Sequence, residues 1–247
     1  MNAFDLFRKQ LDIFAAEGRR LQLWLRDDDA VEPTEQLDRL LSIMNKHSVP
    51  GLLAVIPAQA TSALAARLAV EPLAFVAPHG WAHENYQPDG VKKSEFGSGR
   101  PADAIASDLT RGRKAIETGF ARRFLPVFVP PWNRIADTAI SALPAAGFAA
   151  VSLFGQEKPG PLPQVNTHVD LIDWRGTRGG RATEPLLDDV RAWAETETPV
   201  IGLLTHHLVH DAAAWDFLEQ FLAVTSGHSA VDWVSPSALL SAATARL

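Results

Sequence analysis

The stretch PHGWAHEN, residues 78–85, sets His79 and His83 four positions apart. At that spacing a helical turn or a strand-end loop can bring two imidazoles onto one metal ion, although the bare pattern is also common by chance. A second stretch, RDDDA, carries three consecutive carboxylates at Asp27, Asp28 and Asp29. Three such neighbours repel one another and call for a cation; three aspartates can equally cap a helix N-terminus and use its dipole. The series continues with PPWN at 130–133, DWRG from Asp173, and THH at 205–207 followed by His210. Each has an ordinary structural reading when taken alone: a rigid turn, a strand end with a core tryptophan, a polar loop. The chain has no cysteine. Disulfides, thiolate metal sites and cysteine nucleophiles are thereby excluded, and any metal must use His, Asp or Glu.

The clusters gain joint meaning from the elements that must position them. Short apolar runs recur along the chain: LQLWL at 21–25, GLLAVI at 51–56, LAFVA at 73–77, PVFV at 126–129, AAVSL at 149–153, VDLID at 169–173, VIGLL at 200–204 and AVDWV at 230–234. Most are too continuous for one-sided surface strands and read as buried parallel strands. Helical patterns lie between them, at 35–47, 102–119, 137–146, 185–193 and 212–224. Strand and helix alternate, and roughly eight strands favour a closed or nearly closed barrel over an open doubly wound sheet. In such a barrel the reacting groups collect where strands end, and every polar cluster above follows a strand. Two long Gly- and Pro-rich stretches, 84–101 and 155–168, are candidates for the walls of that rim.

Composition narrows the function classes. The 247 residues are 47% hydrophobic and 21% charged, the profile of a globular α/β domain, and α/β barrels of this length are commonly one domain. No apolar run is long enough to span a bilayer. A net charge of −6 with scattered arginines offers no basic stripe for nucleic acid. No glycine-rich phosphate loop follows the first strand. Residues 1–20 lack the apolar core of a signal peptide; Phe4, Phe7, Leu11 and Phe14 recur instead at helical spacing. The expectation is an amphipathic helix over 1–20 packed on a barrel formed by 21–247, in a cytoplasmic protein.

The motifs in this order resemble the polysaccharide deacetylase family, the NodB-homology or carbohydrate esterase family 4 group, over roughly residues 21–240. The resemblance implies a distorted (β/α)7 barrel. It also assigns roles. The family's Asp-Asp pair matches Asp28 as base and Asp29 as metal ligand, with Asp27 leaving the register open by one. Its His-x-x-x-His matches His79 and His83 as the other two ligands. Its Arg-x-Pro-Pro segment resembles VPPW, but Val129 stands where the arginine is usual, leaving Arg26 or Arg134 to orient the base. Its Asp-Trp matches Asp173 and Trp174, and its Leu-x-His matches Leu204, Thr205 and His206.

That match implies a metal-dependent hydrolase of amide bonds. Two imidazoles and one carboxylate form a three-ligand site with open positions, suited to Zn²⁺ and also to Co²⁺, Ni²⁺ or Fe²⁺. Asp28 would take a proton from water, the Trp132 N–H would stabilise the oxyanion, and His206, oriented by Asp173, would protonate the leaving amine. Trp81, Pro131, Trp132 and Trp174 are candidates for contact with a sugar ring, with core packing an equal alternative for each tryptophan. The substrate class is a small molecule or oligosaccharide carrying an N-acetyl group. A non-sugar amide on the same fold and a non-catalytic carbohydrate-binding barrel are the competing readings.

Overall fold

The computed structural model describes residues 2–245. Its centre is β1 (Leu21–Ala30), which is flanked by parallel partners on both sides: β2 (Gly51–Val55) with Leu25 opposite Gly51, and β7 (Ile201–Thr205) with Leu23 opposite Ile201. Beyond β2 lies β3 (Ala74–Pro78); beyond β7 lies β6 (Val169–Asp170); and β8 (Val231–Trp233) pairs with the start of β1. A separate pair, β4 (Val127–Phe128) and β5 (Ala150–Val151), is tied to β3 by the bridges Val76–Phe124 and His79–Val129. Bridges Val151–Gln164 and Phe154–Thr167 carry the ring from β5 toward β6. The fold is thus a distorted (β/α)7 barrel, closed by isolated bridges where regular ladders give out. The stretch 155–168, expected as a wall of the rim, folds back so that its end runs alongside β5.

Strand alternation sorts the apolar residues of β1, β2 and β3 into two cores. Trp24, Leu52, Ala54, Ala77, Val127 and Val129 pack together in the lumen, while Leu23, Leu25, Leu53, Val55 and Val76 belong to the larger layer between sheet and helices. Because both faces are covered, every residue of β2 is buried, which is why its sequence shows no polar alternation. Gly202 of β7 faces the lumen, where a Cβ would stand 2.4 Å from the Trp24 indole nitrogen. Its absence lets that nitrogen donate to the Asn166 carbonyl at 2.9 Å.

Helices α2 (Glu35–His47), α4 (Ala102–Phe120), α6 (Thr183–Ala194) and α7 (Ala212–Thr225) follow their expected spans within a few residues. α5 is shorter, Asp137–Ala142, because Pro144 follows two residues after its end. Two helices not singled out by the sequence pattern, α3 (Ser62–Ala69) and α8 (Pro236–Thr244), complete the outer layer. α2 starts at Thr34, whose hydroxyl accepts the Leu37 N–H, and buries Leu37, Leu40, Leu41 and Met44 on one face. Burial of each such side chain is worth about 1.5–3 kcal/mol. α1 (Ala3–Ala16) opens with a reciprocal Asn2–Asp5 capping box and buries Phe4, Phe7, Leu11 and Phe14, with Phe4 and Phe7 against Phe217 and Phe221 of α7. Among the described residues no helix is long and apolar enough to cross a membrane.

Candidate active site

The three aspartates lie inside β1 and not in a cap after it. Alternation sends Arg26 and Asp28 to the lumen with Trp24, and Asp27 to the helix side with Leu23 and Leu25. Strict alternation would put Asp29 beside Asp27. Instead the β1–β2 register shifts between Asp27 and Ala30, and Asp29 adopts φ 75°. That bulge turns its carboxylate back toward the strand-end rim.

There it meets both histidines of the HGWAH turn. Asp29 Oδ1 lies 3.2 Å from His79 Nε2 and 3.4 Å from His83 Nε2, and the three donor atoms fall within 4.8 Å of one another. His79 Nδ1 faces the Val129 carbonyl at 3.1 Å, a contact that requires the proton on Nδ1 and leaves the Nε2 lone pair toward Asp29. Among the described residues Asp29 Oδ1 is a buried oxygen with no hydrogen-bond donor. Two imidazole nitrogens and a carboxylate oxygen gathered within 4.8 Å fit a divalent cation of the zinc type. The electrostatics agree. Burial pulls His79 down, but the carboxylates of Asp28 and Asp29 outweigh it and hold the imidazole above its ordinary value. Burial and the charge of His79 push His83 below it. Asp29 is held well below the carboxylate range because the imidazoles, His79 foremost, outweigh its burial. The point favours one positive charge.

Asp28 is 2% exposed and is gripped by Arg26, which is fully buried. Arg26 Nε donates to Oδ1 at 2.9 Å and Nη2 to Oδ2 at 3.0 Å. The same guanidinium donates to Asn133 Oδ1 at 2.5 Å and Ser152 Oγ at 2.7 Å. Val129 lies in the lumen core, and exposed Arg134 donates to the Lys93 carbonyl, so of the two arginines considered it is Arg26 that meets the aspartate. Asn133 and Ser152 had no role in the sequence reading. Asn133 closes the PPWN cluster after β4, a positional signal, whereas Ser152 lies within the run AAVSL and carried none.

Just beyond the neighbouring strand β7, His206 Nε2 stands 3.9 Å from Asp28 Oδ2. Its ring meets Trp174 edge-on at 4.7 Å, and Trp174 is 44% exposed at the rim. The orienting contact expected from Asp173 is not among the hydrogen bonds of the described residues. The Asp173 carboxylate accepts the backbone N–H groups of Gly176 at 3.0 Å and Thr177 at 3.4 Å, capping its own turn. Asp170, three residues earlier, accepts the Trp174 indole N–H at 2.9 Å and feels the charge of His206. Its carboxyl is raised by burial, with His206 acting in the opposite direction. His207 goes to the other side of β7, where its Nδ1 meets Asp27, which also accepts the Thr205 hydroxyl at 2.6 Å and the His207 N–H at 2.9 Å.

Trp132 sits in a 3-10 turn with φ 57°, its ring 4.4 Å from His83. The N–H groups of Asn133 and Arg134 close back on Pro130 and Pro131, whereas the Trp132 N–H makes no hydrogen bond among the described residues. Pro131 is buried behind Gly80, so it backs the HGWAH turn. The Trp81 ring lies under the Arg111 guanidinium of α4, whose Cζ is 3.9 Å from its centroid.

A family model described as polysaccharide deacetylase matches residues 20–151. No curated protein matches the chain by sequence. Among solved structures it is similar to a Mycobacterium smegmatis protein provisionally described as a polysaccharide deacetylase, with 17% identity, 92% and 91% of the two chains covered and a TM-score of 0.68. It is also similar to a peptidoglycan N-acetylglucosamine deacetylase, with 15% identity, 89% and 88% covered and a TM-score of 0.59. A third is a family 4 acetyl xylan esterase from Clostridium thermocellum in complex with a cobalt ion, with 16% identity, 90% and 91% covered and a TM-score of 0.55.

Proposed function

The chain belongs to the polysaccharide deacetylase family, and from that membership we propose that it is a metal-dependent amidase removing acetyl from an N-acetylated sugar or glycan precursor. The observation that carries this reading is the convergence of Asp29, His79 and His83 within 4.8 Å, beside the clamped Asp28. A divalent cation held by those three residues, Zn²⁺ first and Co²⁺, Ni²⁺ or Fe²⁺ by the same donors, supplies Lewis acidity toward the acetyl carbonyl and acidifies water.

The chain's own residues do the rest. Asp28, kept in one orientation by Arg26, takes the proton from attacking water at a carboxylate oxygen. As the carbonyl becomes tetrahedral, the Trp132 N–H donates to the developing oxyanion. An amine leaves only when protonated, and His206 Nε2 delivers that proton. The half-exposed Trp174 face offers a flat apolar surface beside His206 for a sugar ring.

An amide, and not an ester alone, is the fitting bond because an alkoxide needs less help from a general acid than an amine does. The test is metal analysis of the purified protein together with acetate release from N-acetylglucosamine oligomers, acetylated xylan and a panel of linear N-acetyl amides. Metal-dependent release from the oligomers supports the reading. Release only from linear amides moves the substrate class, release only from xylan moves the bond, and oligosaccharide binding without metal or turnover overturns it.

A further inference from the structure

His79 and His83 are held by different means. His79 continues β3: its N–H reaches the Val55 carbonyl at 2.7 Å and its ring the Val129 carbonyl at 3.1 Å. Among the described residues the His83 ring has no hydrogen bond to another residue's backbone; it leans on Trp132 and takes its place from the turn beneath it. That turn is bracketed by two left-handed residues, Gly80 at φ 64° and His83 at φ 59°. Between them the N–H groups of Trp81 and Ala82 point the same way, forming a small anion-binding concavity.

The anion is the chain's own Glu95. Its Oε2 accepts the Trp81 N–H at 3.1 Å and its Oε1 the Ala82 N–H at 2.7 Å, and the residue is fully buried. Gly80 makes room for it, since a Cβ there would stand 2.0 Å from Glu95 Oε2. The neighbouring Phe96 fastens Glu95 in place, buried against Phe128 at 5.0 Å with its carbonyl accepting the Ala136 N–H. On the carbonyl side the turn is held separately, by Ala58 N–H to Trp81 and Gln59 to Ala82.

We propose that Glu95 is a positioning residue for the metal site: by accepting the Trp81 and Ala82 N–H groups it holds the turn that presents His83, and thereby sets how tightly the ion is bound. The inference rests on the metal-site reading above. A carboxylate suits the position because both its oxygens accept; an amide would set its NH₂ against one of the two N–H groups. Losing a partner of this kind typically costs about 10- to 100-fold in metal affinity.

The test uses chelator-stripped protein titrated with Co²⁺, with the dissociation constant taken from chelator competition and the site geometry from the visible bands of the bound ion. Glu95→Gln is expected to weaken Co²⁺ by about tenfold or more and to shift the bands, with the thermal midpoint of the stripped protein close to wild type. In a His83→Ala background the same substitution is expected to add little, because the ligand it positions is gone. Wild-type protein that takes up no Co²⁺ overturns the metal site itself. Wild-type binding with an unaltered constant and spectrum in Glu95→Gln overturns the role of Glu95 alone, as does an equal loss in the two backgrounds. If Glu95→Gln does not fold, Glu95→Asp, one methylene short of both N–H groups, is held to the same criteria.

Discussion

Arg26 and Asp28 sit two residues apart on one strand and meet through two parallel hydrogen bonds, Nε to Oδ1 at 2.9 Å and Nη2 to Oδ2 at 3.0 Å. Both point into the lumen because strand alternation returns every second side chain to the same face. The planar fork gives Asp28 a single orientation, which an ammonium could not do. Arg26→Lys is therefore expected to keep the charge and the metal but lower kcat by about 10²-fold, the usual scale for impaired general base catalysis. Undiminished turnover in that variant would show that the clamp does not serve the reaction.

In the proposed reading the bulge at Asp29 separates ligand from base. Asp29→Asn, His79→Ala and His83→Ala are each expected to lower bound metal, measured by elemental analysis, while leaving the fold intact. Asp28→Asn should retain metal and lose turnover. A metal-depleted Asp28→Asn with a metal-replete Asp29→Asn would move the assignment by one residue.

His206 and His207 are adjacent but face opposite ways, and their substitutions should part company. His206→Ala is expected to cut turnover by about 10²-fold or more with metal and thermal midpoint retained. His207→Ala strands Asp27 as a buried, uncompensated charge, a loss of about 3–5 kcal/mol in comparable pairs, so its signature is a lower unfolding midpoint. A stable, inactive His207→Ala beside an active His206→Ala would exchange their roles.

His210 should make the protein acid-sensitive. Burial lowers its pKa to about 4, and among the described residues neither ring nitrogen has a hydrogen-bond partner. The folded state thus prefers the neutral ring, while the unfolded chain takes up a proton near its ordinary value of about 6.5. Stability from this residue is complete above that pH and is lost progressively as pH falls toward about 4. His210→Phe, which can keep the contact with Trp215 at 4.4 Å in the present structure, is expected to reduce the fall in denaturation midpoint between pH 7 and pH 5. An equally steep fall in the variant would place the acid sensitivity elsewhere.

The alternation of buried strands and helices, their order, and the placement of the polar clusters at strand ends were all legible from the sequence by itself. Each rests on local periodicity, which neighbouring residues carry without help from the rest of the chain. The same is true of the amphipathic stripe Phe4, Phe7, Leu11 and Phe14 that α1 buries. Parity also separated His206 from His207, because β7 keeps its alternation up to Thr205. Only the tertiary structure decided the rest. Period two says which face a residue takes until a bulge resets it, and the reset at Asp29 depends on pairing with β2. Arg26 grips Asp28 in the same lumen that Val129 borders, a relation no spacing encodes. Asp170, and not Asp173, meets the Trp174 indole because the chain turns after Ile172 and consumes the second carboxylate on its own backbone. Trp81 is drawn under Arg111, and Glu95 reaches back to the turn, through contacts made only when distant segments pack. Such contacts depend on through-space distance and not on chain order, so they come into existence with the fold.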